Sequence, residues 1–218
     1  MSNKAEFEAL VRGPTPPRVL GTAKVAQTLQ QARKAGDPID PARDTPLNES
    51  VPTLATMTRG ALNVLDDNPQ GLFLMVEGGA IDWANHDNLP GRMIQEQCGF
   101  FEAIEAVVQW VESHSNWNDT LLILTADHET GLLWGPESEA VPFDPVVDHG
   151  QGRMPGLRYN SKSHTNSLIP LFAKGAGSER FLGLVAGVDP VRGSYVTNTA
   201  VFEVMRGALA VRSAASER

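Results

Sequence analysis

Apolar positions along the chain recur with two periods. From Thr53 to Leu65 (TLATMTRGALNVL), Leu54, Met57, Ala61 and Leu65 fall at helical spacing, and DDNPQ, Asp66 to Gln70, ends the helix they predict. Leu72, Phe73, Leu74, Met75 and Val76 then form an unbroken apolar run of strand length, the pattern of a parallel strand covered on both faces. A second helix is predicted over about Met93 to His114, with Ile94, Cys98, Phe101, Ile104, Val108 and Val111 on its apolar stripe. Asn116 to Asp119 breaks it, and Leu121 to Leu124 is another short apolar run. Helix, strand, helix, strand over 53–134 is the order of a right-handed parallel unit. The expected fold class is therefore α/β, a mainly parallel sheet flanked by helices.

The flanking regions carry weaker patterns. Residues 1–52 are rich in Pro, Gly, Asp and Thr, with one helical candidate, Thr22 to Ala35, which closes at Gly36. This reads as a segment wrapping over a core made elsewhere. Residues 135–163 hold many Pro, Gly and Asp without periodicity, an irregular excursion. In 164–210, Ser167 to Ala173 (SLIPLFA) resumes a strand-like run in which Pro170 argues for an edge or a bulge. Asn198 to Ala210 reads as a terminal helix capped by Asn198 or Thr199. The whole, 1–218, is expected to be a single α/β domain or part of one.

Composition narrows the function classes. A net charge of -8 and the lack of any Lys/Arg-rich run argue against nucleic-acid binding. The charge fits carboxylates gathered around cations, and simple solubility fits it equally. The single cysteine, Cys98, excludes an internal disulfide and a four-cysteine zinc site, and its place in an apolar stripe makes it a core residue. No stretch approaches the roughly 20 apolar residues of a membrane span. The start MSNKAEFEAL is not a signal peptide, although a segment excised from an exported protein would look the same.

Polar residues stand at the ends of the apolar runs. In GLFLMVEGGAIDWANHDN, Glu77 follows the first run, at the carboxyl end where α/β sheets collect ligands. If Ile81 begins a helix, Asp82 and His86 are four apart and share a face. Such a pair can ligate one divalent metal, or can be an N-terminal acid and a surface histidine. Asp127 and His128 follow Leu121–Leu124, and His164 precedes the run at Leu168, so that three of the five histidines stand beside strand ends. Zinc takes imidazole nitrogen and carboxylate oxygen, magnesium takes carboxylate and water oxygen, and the set suggests a mixed site. Two ions about 4 Å apart can hold the attacking and leaving oxygens of a phosphoryl displacement.

GLFLMVEGGAIDWANHDN, LTADHETG and SHTNSLIPLFAKG resemble, in the same order, the metal-binding motifs of alkaline phosphatase. The similarity extends through SVPTLATMTRGALNVLDDNP and covers most of Ala5 to Ala210. The resemblance implies that Glu77 is a magnesium ligand, that Asp82, His86 and His164 hold a first zinc, and that Asp127 and His128 belong to a second. Glu129 and Thr130 follow the motif without a ligand role. His114 and His149 match no ligand position, with Asp148-His149 a distant candidate for contact near the site.

Members of that family also have a nucleophilic serine, a bridging aspartate, a further magnesium ligand and an arginine that grips phosphate, all ahead of these motifs. No segment before Phe73 has a strand ending in aspartate or a serine heading a helix, and Ser213 lies in the tail. The expectation is a carboxyl-terminal part of a phosphomonoesterase, with little activity alone, whose parent acts on phosphate monoesters and binds inorganic phosphate. The resemblance implies a periplasmic or extracellular parent. Sulfatases, phosphodiesterases and cofactor-independent phosphoglycerate mutases share the metal-site logic, but VEGGxIDxxxH followed by TADHxTG favours alkaline phosphatase. A non-catalytic metal-binding or interaction module is the alternative from another class. A homo-oligomer would cover an exposed sheet edge.

Overall fold

Asn3 begins the first helix, α1 (Lys4–Ala9): its side chain accepts from the Glu6 N–H at 3.0 Å, while Glu6 accepts from the N–H groups of Ser2 and Asn3 at 2.5 and 3.2 Å. These backbone donors, Ser2 first, hold the Glu6 carboxyl below its ordinary range. The fold, taken from a computed structural model of the chain, is described for residues 1–25, 30–31 and 46–215. The α1 helix was not expected; its sign in the sequence is the Asn-x-x-Glu spacing of a capping box. Most of the helix expected over Thr22–Ala35 lies outside the described residues, and Thr22 to Val25 are not helical.

The next helices follow their apolar periodicity. Helix α2 (Leu54–Leu65) is capped by Thr53, which accepts from the Thr56 N–H at 3.1 Å, and α1 seats on it where Gly60 lets the backbone approach. Helix α3 (Ala80–His86) and helix α4 (Pro90–His114) pack together, α3 through the buried Ala80 and Ala84. Helix α4 also crosses α2, where Trp110 donates to Asp66 at 3.3 Å. A Cβ at Gly78 would lie 2.9 Å from the Phe100 ring, so glycine there sets how closely the turn into α3 meets α4.

Beyond its first turn, where Pro90, Gly91 and Arg92 are buried, the buried residues of α4 are Ala103, Ala106 and Val111 rather than the whole expected stripe. Cys98 is exposed, contrary to its expected place in the core, as is Phe101 at 56%. The small alanines let α4 lie close to its neighbours, while Ile94, Ile104 and Val108 are half-buried and only Cys98 and Phe101 of the stripe are turned outward.

Among the described residues, eight short strands follow: β1 (Leu121–Leu124), β2 (Glu129–Thr130), β3 (Leu133–Trp134), β4 (Arg158–Tyr159), β5 (His164–Thr165), β6 (Phe172–Gly175), β7 (Val185–Asp189) and β8 (Gly193–Val196). Among the described residues they pair as β1-β6, β2-β5, β3-β4 and β7-β8, and every ladder is antiparallel. The mainly parallel sheet expected from the element order is therefore not formed by these ladders. The chain joining each pair returns as a hairpin or a loop, and without a crossover helix the strands run in opposite directions.

Leu72 to Val76, read as a doubly covered strand, enters no ladder among the described residues. Its burial alternates: Leu72, Leu74 and Val76 are half-buried, while Phe73 and Met75 are 69% and 79% exposed. One face is covered and the other is bare. The strand expected over 167–173 starts later, at Phe172, so Pro170 lies outside the ladder and the Thr125 hydroxyl donates to its carbonyl at 3.1 Å.

Beneath β1 and β6, Leu121, Ile123 and Ala173 pack on a core of Phe181, Ala200 and Val204. Phe181 comes from a 3-10 helix (Ser178–Leu184), and the other two from α5 (Thr199–Ala215), the expected terminal helix. The β7-β8 hairpin was not expected. Its turn at Asp189 to Gly193 is held by the carboxylate of Asp189, which accepts from the N–H groups of Arg192 and Val191 at 2.7 and 2.9 Å and titrates below its ordinary range as a result. Among the described residues no helix is long and apolar enough to cross a membrane.

Candidate metal centre

Helix α3 puts Asp82 and His86 one turn apart, as the spacing predicts, with Asp82 Oδ2 3.5 Å from His86 Nε2. The helix ends at His86, and Asn88, two residues on, has a φ of 55° that turns the chain toward α4. His86 Nδ1 lies 2.7 Å from the carbonyl of Lys162, which requires the ring proton on Nδ1 and leaves the Nε2 lone pair free.

The pairing of β2 with β5 brings the distant histidine in. Its register sets Thr130 opposite His164 and Glu129 opposite Thr165. The Thr165 hydroxyl donates to Glu129 Oε2, and the other oxygen of that carboxylate accepts from the Leu132 N–H at 2.6 Å. Gly131 follows with φ +93°, and a Cβ there would lie 2.7 Å from the Tyr159 ring, so both backbone and space require glycine. Tyr159 fills that space and donates to Asn85 Oδ1 of α3 at 2.8 Å; its burial pushes the phenol up to about 12.

Four ligand-type side chains converge as a result. His164 Nε2 lies 3.0 Å from His86 Nε2 and 3.6 Å from Asp82 Oδ1. The His128 ring stacks on that of His164, centroids 3.6 Å apart and tilted by 25°. Asp82, His128 and His164 each have a ligand atom within 4.8 Å of the others. Asp127 sits at the rim, its side chain 85% exposed and 3.3 Å from His128 Nε2. Imidazole nitrogens and carboxylate oxygens meeting in one half-exposed place suit zinc, and the fixed tautomer of His86 points a lone pair into it.

Glu77 is not part of this gathering. It is exposed, its carboxylate lies over Gly79, and it makes no hydrogen bond or ion pair among the described residues. One carboxylate is too few protein ligands to hold magnesium by itself. His114 stacks on Trp110, His149 pairs with the Met154 carbonyl at 2.9 Å, and Asp148 accepts from the Gly150 N–H at 2.7 Å, each bonded locally. Among the described residues no serine hydroxyl bonds to a side chain of the cluster.

Thr130 is the contributor that the sequence reading left without a role. It is 7% exposed, its hydroxyl donates to Asp82 Oδ1 at 2.5 Å, and it lies 3.3 Å from His128 Nδ1. Nothing in the sequence marked it, because β2 is only two residues long and His128 lies outside it.

Known proteins resemble the chain in sequence and in fold. The chain is 32% identical over 148 residues to the alkaline phosphatase of Escherichia coli (strain K12), covering 65% of this chain and 31% of that protein. It is 31% identical over 145 residues to alkaline phosphatase H of Pseudomonas aeruginosa (strain UCBPP-PA14), covering 64% and 30%. It thus spans about a third of the length of these curated relatives. In fold, it resembles the crystal structure of a cold-active alkaline phosphatase from Shewanella sp., with a TM-score of 0.65 and 24% identity over 96% of this chain and 58% of that one. The family model for alkaline phosphatase matches residues 37–154, more than half of the chain and the stretch that carries Asp82, His86 and His128, and the chain belongs to the alkaline phosphatase family.

Proposed function

We propose that this chain supplies the zinc-ligand part of a phosphomonoester hydrolase. Asp82, His86 and His164 hold a first zinc, and Asp127 and His128 contribute to a second. Glu77 is a magnesium ligand completed by groups from outside the described residues. The observation that carries the reading is the meeting of His86 Nε2, His164 Nε2 and the Asp82 carboxylate, with separations of 3.0, 3.5 and 3.6 Å.

When bound, zinc supplies positive charge beside phosphate oxygens and lowers the pKa of a bound water. The residues prepare its place in distinct ways. The Lys162 carbonyl orients His86, Asp82 offers one oxygen toward each of two imidazoles, and the His128 ring stacked on His164 keeps both from turning.

The nucleophilic serine and the bridging carboxylate come, in this reading, from the part of the fold that the longer relatives have in addition. Leu72–Val76, with one bare face, would pair with a strand from that part and complete a mainly parallel sheet. The chain alone then hydrolyses phosphate monoesters little or not at all.

Equilibrium zinc titration of the purified chain, run beside an assay with a generic aryl phosphate, tests both halves. Zinc should bind and turnover should stay at background. A chain that takes up no zinc defeats the metal reading, and clear zinc-dependent turnover defeats the claim of inactivity.

A further inference from the structure

We infer that Thr130 is a positioning residue that presets two zinc ligands at once through a single hydroxyl. The inference rests on the zinc reading above. Thr130 is 7% exposed, and its Oγ1 lies 2.5 Å from Asp82 Oδ1 and 3.3 Å from His128 Nδ1.

The direction of these two bonds follows from what each group can do. An ionised carboxylate only accepts, so the one hydroxyl proton of Thr130 goes to Asp82. The hydroxyl oxygen then faces His128 as an acceptor and favours the imidazole proton on Nδ1. Asp127 Oδ2, 3.3 Å from His128 Nε2, is the competing acceptor for that proton, and the hydroxyl shifts the balance toward Nδ1. One hydroxyl thereby aims a carboxylate oxygen and biases an imidazole tautomer.

The backbone holds the hydroxyl in place. Thr130 is the cross-strand partner of His164, and the neighbouring pair, Glu129 and Thr165, is tied by a side-chain hydrogen bond that keeps β2 and β5 in register. Thr130 thus touches Asp82 and His128 through its hydroxyl and stands opposite His164 through its strand.

Two substitutions separate the hydroxyl from the shape. Thr130→Val keeps the branched outline and removes the hydroxyl, and Thr130→Ser keeps the hydroxyl and removes the methyl. In the metal-free chain, nitrogen-15 NMR of the imidazoles should show a larger Nδ1-protonated fraction of His128 in the wild type and in Thr130→Ser than in Thr130→Val, where Asp127 draws the proton to Nε2. Zinc affinity, read by competition with a chromophoric chelator, should fall roughly 10–100-fold in Thr130→Val and return in Thr130→Ser. Unchanged tautomer and affinity in Thr130→Val would overturn the inference, as would equal losses in both variants, which would mark a packing role. A wild type that binds no zinc would defeat the proposed function, while the metal-free tautomer of His128 would still decide the role of Thr130.

Discussion

The Nε2 atoms of His86 and His164 lie 3.0 Å apart although the residues are 78 positions apart in the chain. His86 arrives on a helix and is oriented by the Lys162 carbonyl; His164 arrives on a strand of two residues. Removing the His86 imidazole takes away one donor and leaves the Lys162 carbonyl without its partner. His86→Ala should weaken zinc binding by at least tenfold. A ligand that binds only the folded state at a hundred times its Kd stabilises by about 2.7 kcal/mol and at ten times its Kd by about 1.4 kcal/mol, so zinc should raise the melting temperature of the variant by about half as much as that of the wild type, or less. Scanning calorimetry with and without zinc checks this.

Tyr159 links the β3-β4 hairpin to α3. Its phenol, pushed up to about 12 by burial, stays protonated in the folded chain at pH values where an unfolded tyrosine, with a pKa near 10, has lost its proton. The folded state binds more protons in that window, so stability is complete below about pH 10 and falls as pH rises toward about 12. Ultraviolet titration should show the phenol of Tyr159 ionising late, and alkaline denaturation of Tyr159→Phe should lack this contribution. At neutral pH the same substitution leaves Asn85 Oδ1 unpaired and should cost about 1–3 kcal/mol.

Gly131 and Gly150 form an internal control. Both have positive φ, +93° and +89°, but a Cβ at Gly131 would meet the Tyr159 ring at 2.7 Å and one at Gly150 would meet nothing within 4 Å. Gly150→Ala should cost only the backbone strain, about 1–3 kcal/mol. Gly131→Ala should cost more and should also weaken zinc binding, because displacing Tyr159 frees α3. Chemical denaturation of the two variants side by side measures the difference.

Phe73 and Met75 present a bare apolar face beside backbone that enters no ladder among the described residues. Such an edge invites pairing with another chain. Light scattering should find the chain self-associating as concentration rises, and a Phe73→Glu, Met75→Glu double variant should be closer to monomeric. If both stay monomeric across that range, the face does not drive assembly.

Much of the local structure was readable from single stretches. The spacing of Leu54, Met57, Ala61 and Leu65 predicts α2 because a helix brings every third or fourth residue to one side, and α4 follows by the same rule. Asp82 and His86 were readable as a pair for the same reason, and Leu121–Leu124 as a strand. The α1 helix and the β7-β8 hairpin escaped because their signals are a capping box and a turn, which periodicity does not register.

Other features depend on what lies beside a residue, and no single stretch contains that. Cys98 shares an apolar stripe, yet the close fit of α4 rests on Ala103 and Ala106, and Cys98 faces outward. Strands β2 and β5, two residues each, are too short to announce themselves, yet their register is what sets His164 opposite Thr130. The direction of the ladders was likewise set by how loops return, not by the apolar runs. The amino-acid order thus wrote the faces of the helices and the residue types of the metal motifs, because both follow from local geometry. Which faces meet, and where a hydroxyl finds a carboxylate 48 positions away, followed from packing, whose energy comes from contacts that exist only once the chain has folded.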